Sequence, residues 1–182
     1  MNEAEFVMER IQKTWDDEYW TDYVPDFFNY KNVLYIGIER YRCVFIQNFL
    51  AHDYEIDLLE IWKPHVEHYR KANKVLGFFN DIYHGDVRDI DEIIHRRYEQ
   101  ILWFHGPEHL EKHELFSVFK KLHKMCTGLL AMACPYGESE SPARGGNEHN
   151  RHYSALYPDF FREWGFDVVQ EDKKRIKVWT HV

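Results

Sequence analysis

From Val33 onward the chain repeats one pattern: a short, apolar, β-favouring run, then a stretch with helical spacing, then another run. The runs are 33–37, 54–61, a third ending near His84, 98–104 and 125–134. The helical stretches between them carry Cys43, Phe45, Ile46, Phe49 and Leu50 after the first run, Pro64 at the start of the second, 87–97 after the third, and a long one from Gly106-Pro107 to about Lys124. Strands separated by helices need crossover connections, which makes them parallel neighbours in one sheet. The last two runs, 166–170 and 175–180, break the rule. The four residues between them, Glu171-Asp172-Lys173-Lys174, are too few for a crossover and dictate an antiparallel hairpin. The expectation is an α/β fold with a mostly parallel seven-stranded sheet and a C-terminal antiparallel hairpin.

The 182 residues suit one domain with a full core, and 45% apolar with 17% aromatic content argues against disorder. Residues 1–30 read as an aromatic helical cap, with Phe6, Val7, Ile11, Trp15 and Tyr19 at helical spacing, and 31–182 as the main unit. Trp20 to Tyr30 would lie over the sheet edge or a ligand, or complete the core. The net charge of −8, with no basic cluster beyond Lys173-Lys174-Arg175, argues against nucleic acid as a partner. No apolar stretch of about 20 residues is present, so no membrane span is expected. Cys43, Cys126 and Cys134 show no paired spacing and read as reduced thiols of a cytoplasmic protein. Oligomeric state stays open, a homo-oligomer included.

Gly37, Glu60 and Asp86 each stand where a strand-like run gives way to a loop. Ligands of open α/β sheets bind outside the carboxyl ends of the strands, where the strand order reverses. A carboxylate there accepts from ribose hydroxyls or from the exocyclic amine of adenine. No Gly-x-Gly-x-x-Gly and no Walker-type loop is present, which removes dinucleotide and nucleoside-triphosphate readings. The loop 135–150 leaves the fifth strand on the same side and reads as a lid.

These segments together resemble the class I S-adenosylmethionine-dependent methyltransferases, of the branch acting on small molecules, over residues 30–182. Val33-Leu-Tyr-Ile-Gly37 is similar to that family's first-strand motif, though Ile38 and Glu39 follow where further glycines are usual. Gly106-Pro-Glu108-His109-Leu, Leu129-Leu-Ala-Met-Ala-Cys-Pro135 and 152–165 resemble its later segments. The resemblance implies a Rossmann-like three-layer sandwich, S-adenosyl-L-methionine as cofactor, and methyl transfer to an O or N of a small or sugar-like acceptor. It implies Gly37, Ile38, Glu39, Glu60, Ile61, Asp86, Val87 and Phe104 as cofactor-binding residues, with Glu60 on the ribose and Asp86 on adenine. The rival from another class is a non-catalytic binding module of the same fold.

Methyl transfer needs positioning and one base for the acceptor's proton, and His105, His109 and His152 are the candidates. No resident metal is expected on the main reading. The alternative notes that His105-x-x-Glu108-His109, with His152, resembles the metal-binding arrangement of small-RNA 2′-O-methyltransferases, which would make Glu108, His109 and His152 ligands. His109 and His113 share a helical face, but the glutamate of a zinc-protease motif is missing after the first histidine, so His113 reads as solvated.

Overall fold

The structure is a computed structural model that describes residues 20, 22–38, 54–143, 145–171 and 174–182, with Gln170 and Glu171 as backbone alone. Its strands are β1 (Asn32–Ile36), β2 (Glu55–Glu60), β3 (Ile82–His84), β4 (Tyr98–Phe104), β5 (Cys126–Pro135), β6 (Asp167–Glu171) and β7 (Arg175–His181). The described helices are α1 (Lys63–Leu76), α2 (Ile90–Ile93), α3 (Lys112–Met125) and α4 (Pro158–Arg162), with single 3-10 turns at Val87–Asp89, Pro107–His109 and Glu148–Asn150.

The sheet runs β3-β2-β1-β4-β5-β7-β6, parallel from β3 to β5 and antiparallel in its last two pairings. The order reverses between β1 and β4, the place at which crossovers depart to opposite sides and leave a crevice. Both faces of the sheet are covered, which explains why β1 and β4 are apolar runs rather than alternating ones. Leu34, Ile36, Ile101 and Trp103 face one way and pack with Leu115, Val118, Phe119 and Leu122 of α3. Val33, Tyr35, Leu102 and Phe104 face the other way and pack with Tyr69 of α1 and with Trp20, Val24 and Phe27. The aromatic segment before β1 is thus core on that face, and Gln100 Nε2 donates to the Phe27 carbonyl at 2.8 Å to fix it there.

Asp57, buried in β2, is the polar tie between strands. It accepts the Tyr98 hydroxyl at 2.7 Å and the Asp81 N–H at 3.1 Å, with Arg96 at 3.3 Å. Burial and the Asp57 carboxylate beside it push the Tyr98 hydroxyl well up from its ordinary value.

Several expectations shift in detail. The helix expected over 87–97 is a 3-10 turn followed by the four-residue α2, because Ile94 is already extended. The long helix from Gly106 is interrupted: a 3-10 turn ends at Leu110, and α3 begins anew with a capping box between Glu111 and Glu114. Pro64 does sit in the first turn of α1. The expected helices over 3–20 and after Gly37, along with Cys43 and Glu39, lie outside the described residues. Cys126 and Cys134 are buried free thiols. Among the described residues no helix is long and apolar enough to cross a membrane.

Candidate cofactor and acceptor cleft

The carboxyl ends of β1 to β4 open into a cleft of about 430 Å³. Volumes of this order are usual for small-molecule sites. Gly37 and Ile38 enter after β1, Glu60, Ile61 and His65 after β2, Asp86, Val87 and Arg88 after β3, and Phe104, His105 and Gly106 after β4. His109, Glu111 and Glu114 line one rim, and the 135–150 loop reaches over with Asn147, Glu148, His149 and Asn150.

Gly37 takes a φ of +64, and a Cβ built on it meets nothing within 4 Å. The turn after β1 therefore needs glycine for its backbone hand, and no described residue fills the space beside it. Glu60, 5% exposed, holds that turn: its Oε2 accepts the Ile38 N–H at 3.3 Å and its Oε1 accepts the Trp62 N–H at 2.8 Å. His65 Nδ1 stands 3.7 Å from Oε2. A carboxylate offers about four lone-pair sites, so two remain for a ligand's hydroxyls.

Asp86 is engaged differently. Its Oδ1 accepts the Arg88 N–H at 2.9 Å, and its Oδ2 accepts Arg88 Nε at 3.0 Å and an Arg88 terminal nitrogen at 2.6 Å. Burial raises its pKa, but the Arg88 hydrogen bonds and charge outweigh that, leaving the carboxyl below its ordinary value. The guanidinium also bonds Glu114 at 2.7 Å and so ties the loop after β3 to α3.

Gly106 lies against Trp103, where a Cβ would come 1.6 Å from the indole nitrogen. This close approach turns the chain sharply after β4. The residue before it, His105, adopts a φ of 53 and is the single described non-glycine residue with positive φ. Strain of this kind is found where surroundings over-determine a functional side chain. His105 lines the cleft, with Nδ1 3.4 Å from Oε1 of Glu108. Glu108 is 2% exposed, and among the described residues neither of its oxygens has an aligned hydrogen-bond partner. Burial raises its pKa, while His105 and His109 beside it pull it down to a net value below the ordinary one.

The expected residues therefore divide. Gly37, Ile38, Glu60, Ile61, Asp86, Val87, Phe104, His105 and His109 share one cleft. His152 and Glu108 are not among its lining residues; they pack beside His109, whose ring centroid is 4.9 Å from that of His152. Burial lowers the His152 pKa, more than the Ser139 carbonyl and Glu108 raise it. His113 is exposed beside Glu111, as expected of a solvated residue. Sequence reasoning missed Arg88, His65 and Asn147. Arg88 was accessible as a cation two residues past an acid, and His65 as a polar residue in the first turn after a strand; Asn147 carried no signal.

No family model matches the sequence, and no curated protein matches it. Solved structures do. An S-adenosylmethionine-dependent methyltransferase from Clostridium acetobutylicum ATCC 824 aligns with a TM-score of 0.65 at 11% identity, covering 98% of this chain and 97% of that one. The glycopeptide N-methyltransferase MtfA complexed with S-adenosyl-L-homocysteine gives 0.61 at 16% identity, over 89% of this chain and 87% of that one. The N-methyltransferase NodS from Bradyrhizobium japonicum WM9 gives 0.60 at 12%, over 100% and 98%. The chain has the class I S-adenosylmethionine-dependent methyltransferase fold, with its cleft at that fold's switch point.

Proposed function

We propose that this chain is an S-adenosylmethionine-dependent methyltransferase that modifies an O or N of a small-molecule or sugar-like acceptor. The observation that carries the reading is the shared cleft: Glu60 and Asp86 line one hollow with Gly37 at the reversal of strand order. Structures of the same fold are described as complexes with S-adenosyl-L-methionine, its demethylated product or sinefungin, which supports the cofactor.

The residues fit such a group. Glu60 keeps two acceptor sites for the ribose hydroxyls, and the space above Gly37 is free of side chains among the described residues. Asp86 accepts three bonds from Arg88 and keeps one acceptor site, on Oδ1, for the adenine amine. When bound, the cofactor supplies an electrophilic methyl group on a sulfonium. The chain's own task is orientation and proton removal. His105 is the base: the buried Glu108 carboxylate faces its Nδ1 and steadies an imidazolium, as a buried acid orients a catalytic histidine elsewhere. The acidic rim of Glu111, Glu114 and Glu148 disfavours phosphorylated acceptors.

Calorimetric titration tests the reading. Cofactor and S-adenosyl-L-homocysteine should each bind once per chain, and an acceptor panel of hydroxylated and amino compounds should yield a methylated product that His105→Gln no longer forms. Absence of binding by both ligands at millimolar concentration refutes it.

A further inference from the structure

Beyond the cofactor cleft, the structure holds a buried carboxylate that lacks a satisfactory partner. Both oxygens of Glu108 are buried, and among the described residues neither has a hydrogen-bond partner. Its ion-pair neighbours within 4.0 Å among the described residues are two histidines, His105 and His152, with no Lys or Arg. A buried, unpaired anion is strongly unfavourable, and such groups pair or coordinate a metal.

The neighbouring imidazoles are set for coordination. His109 Nδ1 donates to the Arg151 carbonyl at 2.9 Å, and His152 Nδ1 donates to the Ser139 carbonyl at 2.5 Å. A carbonyl only accepts, so the proton of each neutral ring sits on Nδ1 and the lone pair on Nε2. Fixing a ring through its second nitrogen is the usual arrangement around metal-bound histidine. A ligand atom from each of Glu108, His109 and His152 lies within 4.8 Å of the others. Ligands of a tetrahedral zinc stand roughly 3.4 Å apart, so rotamer adjustments of about an ångström close the set.

The segments that carry these residues are mutually braced. The Glu108 carbonyl accepts the N–H groups of Tyr153 and Ser154, at 2.8 and 3.2 Å, and the Ser154 hydroxyl donates to the Leu110 carbonyl at 2.6 Å. The turn after β4 and the end of the 135–150 loop are thereby held together before any ion arrives.

We propose that Glu108, His109 and His152 form a divalent-cation site with an open position toward the cleft. Two imidazoles and one carboxylate suit zinc, manganese or iron(II), and leave room for an exogenous oxygen. His109 lines the cleft, so that oxygen belongs to the acceptor: a hydroxyl or carbonyl, brought to the ion beside His105. Ion binding stands independently of the cofactor; the ion's service to an acceptor rests on the methyl-transfer reading.

The test uses full-length chain stripped with chelator, then titrated with Zn2+ or Mn2+ and followed by calorimetry and elemental analysis. One ion per chain is expected to bind and to survive desalting, with a rise in melting temperature that chelator reverses. Glu108→Gln, which keeps the volume, and His152→Ala should each weaken binding at least tenfold, while His113→Ala leaves it unchanged. S-adenosyl-L-homocysteine should bind all of these proteins equally. Failure to bind either ion below millimolar concentration overturns the site. So does binding that neither Glu108→Gln nor His152→Ala weakens. Loss of cofactor binding with the ion retained sinks the methyl-transfer reading instead.

Discussion

Glu60→Gln should separate the cofactor role of this carboxylate from its structural one. Two of the four acceptor sites of Glu60 are used by the N–H groups of Ile38 and Trp62, which leaves two on a residue that lines the cleft. Hydrogen bonds to a charged group are each worth about 1.5–3 kcal/mol net. Glutamine keeps one acceptor oxygen and places an NH2 group against a donor, either the Ile38 N–H or a ribose hydroxyl. One charged bond is lost and another weakened, so about 3 kcal/mol of ligand affinity should disappear, on the order of 100-fold in Kd. Calorimetry with S-adenosyl-L-homocysteine and its 2′-deoxy analogue reads this directly. The substitution should cost the parent ligand much more than the analogue, which already lacks one of the hydroxyls. A melting curve run in parallel reports the loss of the turn's own hydrogen bonds. Equal losses for the two ligands, or a drop in melting temperature with Kd unchanged, would refute the ribose assignment.

Tyr98→Phe removes the hydroxyl that satisfies Asp57 and should destabilise the fold by about 1–3 kcal/mol in urea unfolding, with cofactor binding intact. Gly106→Ala forces a methyl group into the indole of Trp103, which should cost about 1–3 kcal/mol and also weaken cofactor binding, because Trp103 lines the cleft. The pKa of Asp86 is below its unfolded value of 3.8, so its stabilising effect is complete above that value and is lost as pH falls through the lower, folded one. Acid titration of stability below about pH 4 should therefore flatten in Arg88→Ala, which removes the guanidinium holding the carboxylate.

The strand pattern was legible from residues 33 to 134 because strands buried on both faces are continuous apolar runs, and the terminal hairpin because its connection is too short for anything else. Helix lengths were less legible. The stretch 87–97 carries apolar residues at helical spacing, yet it stops at Ile93 because the chain must extend to enter β4. Likewise Gly106 to Leu110 forms a separate turn, since its backbone is bonded to residues 153 and 154 rather than to its own next turn.

For the cleft, the sequence by itself determined the glycine and the two acids, because each ends a strand and strand ends of a parallel sheet converge. Three things came from tertiary structure alone. Arg88 carries its grip on Asp86 across to Glu114, which depends on α3 packing beside the loop after β3. His105 takes a positive φ next to Gly106, itself packed close against Trp103, which no residue pattern encodes. The burial of Glu108 between His105 and His152 joins groups 44 residues apart in the chain (108 to 152). Local spacing sets backbone period and strand order; the partners of a buried charge are set by which distant loop closes over it.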